Sequence, residues 1–125
     1  IIEHMGLEQF DGIIRDWFRV LKPGGKLYLA CPDMSKVAQH IIQRDPPWDN
    51  WFICMINVFG PFNGITGDYH RWGYNFQELG KKLNELGFVN YHELTPGELF
   101  NEIGAANGQV NGFAPYNLQA CAQKP

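Results

Sequence analysis

The chain has 125 residues, 45% of them hydrophobic and 14% aromatic, which is enough for one packed core and too little for two. Ten Lys and Arg stand against thirteen Asp and Glu for a formal net charge of -3. No stretch gathers like charges into a stripe, so neither a nucleic-acid nor an anionic-membrane partner is expected.

From Gly6 to Leu21 the apolar residues Leu7, Phe10, Ile13, Ile14, Trp17, Phe18 and Leu21 recur every three or four positions, and Glu8, Asp11, Arg15, Asp16 and Arg19 take the other side. This is the pattern of an amphipathic helix with one core face. Pro23 cannot extend it, and Lys22-Pro23-Gly24-Gly25 suits a type II turn with the positive dihedral on Gly24. KLYLAC at 26–31 has no polar alternation after its first residue, as in a parallel strand covered by helices on both faces. Helical spacing returns from Met34 to Arg44 and stops at Asp45-Pro46-Pro47. A helix, a buried strand and a further helix predict an α/β layer structure.

Residues 48–74 are dense in Trp, Phe, Gly and Asn and form a long excursion, with a short helix around Trp51 to Phe59. The run WFICMINVF at 51–59 is about half the length a bilayer crossing needs and contains Asn57. Asn75 and Glu78 have the spacing of a capping box, followed by Phe76, Leu79, Leu83 and Leu86 and a terminating Gly87. FVNYHEL at 88–94 reads as a strand. The tail at 117–124 alternates Leu118, Ala120 and Ala122 with Gln119, Cys121 and Gln123, as a half-covered strand does. Between these two strands only a weak helical stretch, Glu98 to Ala105, stands out.

Cys31, Cys54 and Cys121 are odd in number and form no C-x-x-C pair, so they read as small buried side chains in a reducing, cytoplasmic compartment. The chain opens on Ile1 with nothing resembling a signal peptide, and the expectation is that it begins inside a domain.

No G-x-S-x-G elbow, phosphate loop, G-x-G-x-x-G or H-E-x-x-H occurs, so candidate chemistry must be located by position. Ligands of open α/β sheets sit beyond the carboxyl ends of parallel strands. That rule selects Asp33, after the buried strand, and Glu3 and His4 if Ile1-Ile2 end an earlier one. Each also has a structural reading: Asp33 as a helix N-cap, Glu3 and His4 as the opening of the first helix. In DYHRWGYN, 68–75, Tyr69 and Trp72 offer flat rings and His70 a near-neutral base, which together suit a small polar acceptor. Trp72 and Tyr74 are equally able to anchor the excursion to the core. His40 and His92, lacking evident partners, read as structural.

Taken in order, EH after a strand end, RVLKPGGKLYLACPD, HRWGYNFQELGKKLNELGF and NLQACAQKP resemble the C-terminal half of a class I S-adenosylmethionine-dependent methyltransferase. The resemblance implies a Rossmann-like sheet of seven strands. Residues 1–125 would supply the end of the fourth strand and all of the fifth, sixth and seventh, with the last antiparallel beside the fifth. It implies that Glu3 and His4 lie near the methionine end of the cofactor, where some relatives hold a divalent ion on such a pair; no metal ligand set is assigned here. It further implies that His70 acts as the catalytic base or positions the acceptor, and that Asp33, Tyr69 and Trp72 contact it. The Gly-rich loop and the ribose-binding acid have no counterpart, so S-adenosylmethionine is not expected to bind this chain tightly. The expected activity is methyl transfer to an oxygen or nitrogen of a small molecule by the complete domain, the chain alone being inactive. The alternative is a non-catalytic α/β module that self-associates, most simply as a homodimer, or binds a protein through its open sheet edge.

Overall fold

The structure, a computed structural model, describes residues 1–43, 49–95, 98 and 116–125. After a 3-10 turn at Ile2–His4 come α1 (Leu7–Val20), β1 (Lys26–Pro32), α2 (Met34–Gln43), α3 (Asp49–Phe59), a second 3-10 turn at Thr66–Asp68, α4 (Phe76–Glu85), β2 (Val89–Glu93) and β3 (Asn117–Gln123). The helix expected over 98–105 lies outside the described residues apart from Glu98. The fold is mixed α/β with a small antiparallel sheet. Among the described residues no helix is long and apolar enough to cross a membrane.

Local chemistry accounts for most boundaries. Gly6 N–H donates to Gln9 Oε1 at 3.1 Å and opens α1. The turn after α1 has Gly25 N–H donating to Lys22 O at 2.8 Å, with Gly24 at φ +76°. Asn75 caps α4 by accepting from Glu78 N–H at 2.8 Å. Gly87, at φ +100°, turns the chain from α4 toward β2.

The sheet order is β1-β3-β2. β3 pairs antiparallel with β1 in unbroken register from Lys26↔Gln123 to Pro32↔Asn117. It also pairs antiparallel with β2, with an irregularity between Val89 and His92. β1 and β2 therefore point the same way, and the last strand lies antiparallel beside β1, as expected.

Two expectations are corrected. Among the described residues β1 has no parallel strand neighbour and is not covered on both faces, since Leu27 and Tyr28 stay half-buried; a continuous apolar run by itself does not distinguish a parallel central strand from one with a single antiparallel partner. A Rossmann-like sheet of parallel neighbours is thus not present among the described residues. Ile1-Ile2 do not end a strand either, because Ile2–His4 form a 3-10 turn. Two consecutive apolar residues carry no period, and Ile2 is buried in the core from that turn.

The main core joins Phe10 and Ile14 of α1, Leu29 and Cys31 of β1, Leu79 and Leu83 of α4, and Leu118, Ala120 and Ala122 of β3. Val37, Cys54 and Tyr116 make a satellite cluster under α2 and α3. Leu118, on the central strand, is fully buried. Leu118→Ala is expected to cost about 2–5 kcal/mol, read from the urea midpoint; a loss below about 0.5 kcal/mol would show that β3 does not anchor the core.

Candidate functional site

α3 ends at Phe59, and Gly60 takes φ +87° while its N–H donates to Ile56 O at 2.8 Å. A Cβ at Gly60 would collide with the carbonyl oxygen of Asp68, so this close return of the excursion requires glycine. His70 N–H then donates to Phe59 O at 3.1 Å. Just beyond, Arg71 N–H and Trp72 N–H both donate to Glu3 O, at 2.7 and 3.2 Å. Those two bonds fasten the excursion to the first turn and bring His70 onto Glu3 and His4.

The rings of His4 and His70 meet edge to face, 4.9 Å between centroids. Glu3, with its side chain 13% exposed, places Oε1 3.8 Å from His4 Nε2, and its Oε2 accepts from the Ile1 ammonium at 2.6 Å. His70 Nδ1 lies 2.8 Å from Asn57 O. A carbonyl oxygen can only accept, so Nδ1 carries the proton and Nε2 keeps its lone pair. Burial holds the His70 imidazole below its ordinary value of 6.5, opposed by the Asn57 hydrogen bond and by the Glu3 carboxylate.

Glu3 and His70 line a cavity of about 260 Å³ together with Cys31, Pro32, Asn57 and Asn117. The cavity lies at the carboxyl end of β1, and its lining mixes apolar residues with Glu3, His70, Asn57 and Asn117. Cys31 is no nucleophile there: burial first, then the Glu3 charge, pushes its thiol up to about 12.

Glu3, His4 and His70 are thus brought together, whereas Asp33, Tyr69 and Trp72 are not brought into that group. Asp33 is 4% exposed and caps α2, its Oδ1 accepting from Ser35 N–H at 2.9 Å and Lys36 N–H at 3.3 Å. Lys36 Nζ stands 4.0 Å from its other oxygen. Tyr69 and Trp72, 38% and 41% exposed, do not line the cavity. His40 packs its ring on Tyr116, 4.5 Å between centroids. His92 does have partners, contrary to expectation: Asn90 O lies 2.9 Å from Nδ1 and Glu98 Oε1 3.7 Å from Nε2.

Asn57 was not among the expected site residues, although a signal for it existed. It is the one amide in an otherwise apolar run, it is buried, and its Nδ2 donates to Ile53 O at 2.8 Å. Asn117 gave no such signal, since a polar residue opening a strand is ordinary.

No protein-family model matches the sequence, and no curated protein matches it significantly.

The depressed His70 pKa has a consequence for stability. The unfolded chain protonates this group more readily, so between 6.5 and the lowered folded value the unfolded state binds more protons and stability rises with pH. That stability is lost as the pH falls from 6.5 through the folded value. Urea unfolding between about pH 5 and 8 is expected to show this dependence and His70→Gln to flatten it; an unchanged slope in the variant would place the titration elsewhere.

Proposed function

We propose that this chain is the C-terminal part of an S-adenosylmethionine-dependent methyltransferase domain acting on an oxygen or nitrogen of a small-molecule acceptor. The observation that carries the reading is the strand arrangement: β3, last in sequence, runs antiparallel between two strands that share a direction. The resemblance implies a last strand antiparallel beside the fifth, which is how β3 lies beside β1. The cavity at the end of β1, with His70 and Glu3 on its wall, supports the same reading. The buried free cysteines fit a reducing, cytoplasmic compartment.

The residues present fit only the acceptor's share of such a site. S-adenosylmethionine, when bound to a complete domain, supplies a methyl group on a sulfonium. The loop and acid that would grip its nucleoside do not occur in the 125 residues. What the chain contributes is a pocket in which the amides of Asn57 and Asn117 orient a polar acceptor while His70 Nε2 takes its proton. Methyl transfer gains most from such positioning and modestly from a base.

The coding sequence immediately upstream of Ile1 tests the reading: a strand followed by G-x-G-x-G is expected, whereas a start codon there would favour a separate module. In the protein carrying that upstream half, His70→Ala is expected to lower turnover by about 10²-fold or more with little change in cofactor affinity. Unchanged turnover would return His70 to a purely structural role.

A second reading, the self-associating module, is favoured by one observation. Among the described residues no strand lies beside the outer edge of β1, and next to it Ile1, Ile2, Trp17, Leu27 and Leu29 line a second cavity of about 360 Å³. An open strand edge bordered by apolar surface is a template for pairing. Light scattering on the 125-residue chain is expected to give a dimer mass that falls on dilution; a single-chain mass at every concentration would exclude this reading.

A further inference from the structure

We propose that the cavity at the end of β1 binds a small organic amine in its ammonium form, held by the carboxylate of Glu3. That this amine is the methyl acceptor rests on the methyltransferase reading; that it binds does not. The cavity, about 260 Å³, falls just under the usual range for small-molecule sites, about 300–1,000 Å³. Its ligand is therefore small.

The lining is rich in hydrogen-bond acceptors and carries one formal charge, which is negative. Glu3 presents a carboxylate, which can only accept. His70 commits Nδ1–H to Asn57 O at 2.8 Å and keeps the lone pair of Nε2. Asn57 turns its Nδ2 to Ile53 O at 2.8 Å, so both lone pairs of Oδ1 are left to give. Asn117 is the one lining amide whose orientation is not fixed in this way, and no Lys or Arg lines the cavity. Such a set favours a ligand that donates several hydrogen bonds and brings a positive charge.

Lys36, which donates to Asn117 O at 3.0 Å, does not reverse that sign. Its Nζ also donates to Glu93 Oε1 at 2.6 Å and stands 4.0 Å from Asp33 Oδ2, so two carboxylates face one ammonium. Cys31 on the cavity wall registers the negative field: after burial, the Glu3 charge raises its thiol, the Ile1 ammonium opposes, and Asp33 raises it further. Glu3 already holds one alkylammonium, since Ile1 donates to its Oε2 at 2.6 Å. Within a longer chain that nitrogen belongs to a peptide bond, and the carboxylate is left to a ligand. An anionic acceptor meets the same carboxylate in a poorly solvated cavity with no lining cation to offset it.

An ammonium has no lone pair until it gives up a proton. His70 Nε2 takes that proton, and the burial that keeps the imidazole neutral also eases deprotonation of the bound amine. The nitrogen then forms its bond to the methyl carbon as the carbon–sulfur bond of the sulfonium breaks, with the electron pair left on sulfur. The methylated product is again an ammonium.

Calorimetric titration of the 125-residue chain with benzylamine, benzyl alcohol and benzoate reads the selectivity, the Ile1 amine being acetylated so that it presents an N–H as a peptide bond does. The three probes share a ring and differ in charge. Benzylamine is expected to bind one site per chain about tenfold or more tightly than benzyl alcohol, as charge-assisted hydrogen bonds imply, and benzoate more weakly than either. Glu3→Gln, which keeps the side-chain shape, is expected to abolish the preference for benzylamine. Asp16→Asn, which removes an equal charge from the exposed face of α1, is expected to retain it. Absence of benzylamine binding, equal or tighter binding of the alcohol or benzoate, a preference that survives Glu3→Gln, or one lost in Asp16→Asn would overturn the proposal. The ranking on the unsubstituted chain decides even if Glu3→Gln fails to fold. S-adenosylmethionine is left out, so amine recognition and methyl transfer can fail separately.

Discussion

β1 and β2 run in the same direction without pairing with each other; among the described strands each is hydrogen-bonded only to β3, which comes last in sequence. Closing β1 against a partner some 90 residues later is expensive in chain entropy, and the register shows what offsets it: seven consecutive residue pairs from Lys26↔Gln123 to Pro32↔Asn117, with Leu118, Ala120 and Ala122 buried in the main core. Lys124 extends the hold past the strand. Its Nζ donates to Phe18 O and Leu21 O at 2.9 and 2.8 Å, satisfying carbonyls at the end of α1 where a cation is also favoured by the helix dipole.

The candidate site inherits its geometry from that seam. Asp33 N–H donates to Tyr116 O at 2.7 Å and Met34 N–H to Tyr74 O at 2.9 Å, so the end of β1 is tied both to the start of β3 and to the segment before α4. Asp33 is held there as the cap of α2, and Cys31, Pro32 and Asn117 fall on one wall of the cavity. The excursion supplies the facing wall. α3 presents Asn57, Gly60 reverses the chain, and His70 returns against the first turn. A long loop is thereby pinned at several points by backbone hydrogen bonds, and Tyr74 at its end anchors it by packing in the main core against Phe10, 5.1 Å between ring centroids.

This division explains what was legible in the sequence. Helices α1, α2 and α4 were readable because Phe10, Ile14, Val37, Leu79 and Leu83 repeat with helical period and each helix buries that face. The turn at Pro23-Gly24 was readable because only glycine takes its dihedral freely. Ile1-Ile2 were misread because two residues define no period, and β1 because apolar content says that a strand is buried somewhere without saying by what. At the site, His70, Glu3 and His4 were each visible, but their meeting was not: it rests on Arg71 and Trp72 donating main-chain hydrogen bonds to Glu3 O, and backbone partners leave no trace in side-chain identity. Tyr69 and Trp72 stood out for their chemistry and are partly exposed instead, since flat rings beside a histidine are as natural on a loop surface as in a pocket.

The cavity also shows why the conspicuous nucleophile on its wall is the wrong place to look for reactivity. Cys31 and His70 share one poorly solvated environment, and burial acts on both by disfavouring the charged form. For a thiol the charged form is the reactive one, so Cys31 is silenced, the more so with the Glu3 carboxylate close by. For an imidazole the neutral form is the one with a lone pair to give, so the same burial keeps His70 in its useful state. Asn57 then decides which nitrogen offers that lone pair, because its carbonyl engages Nδ1–H and leaves Nε2 as the acceptor. The backbone carbonyl that orients the ring therefore fixes which nitrogen can take a proton, and burial favours that nitrogen unprotonated.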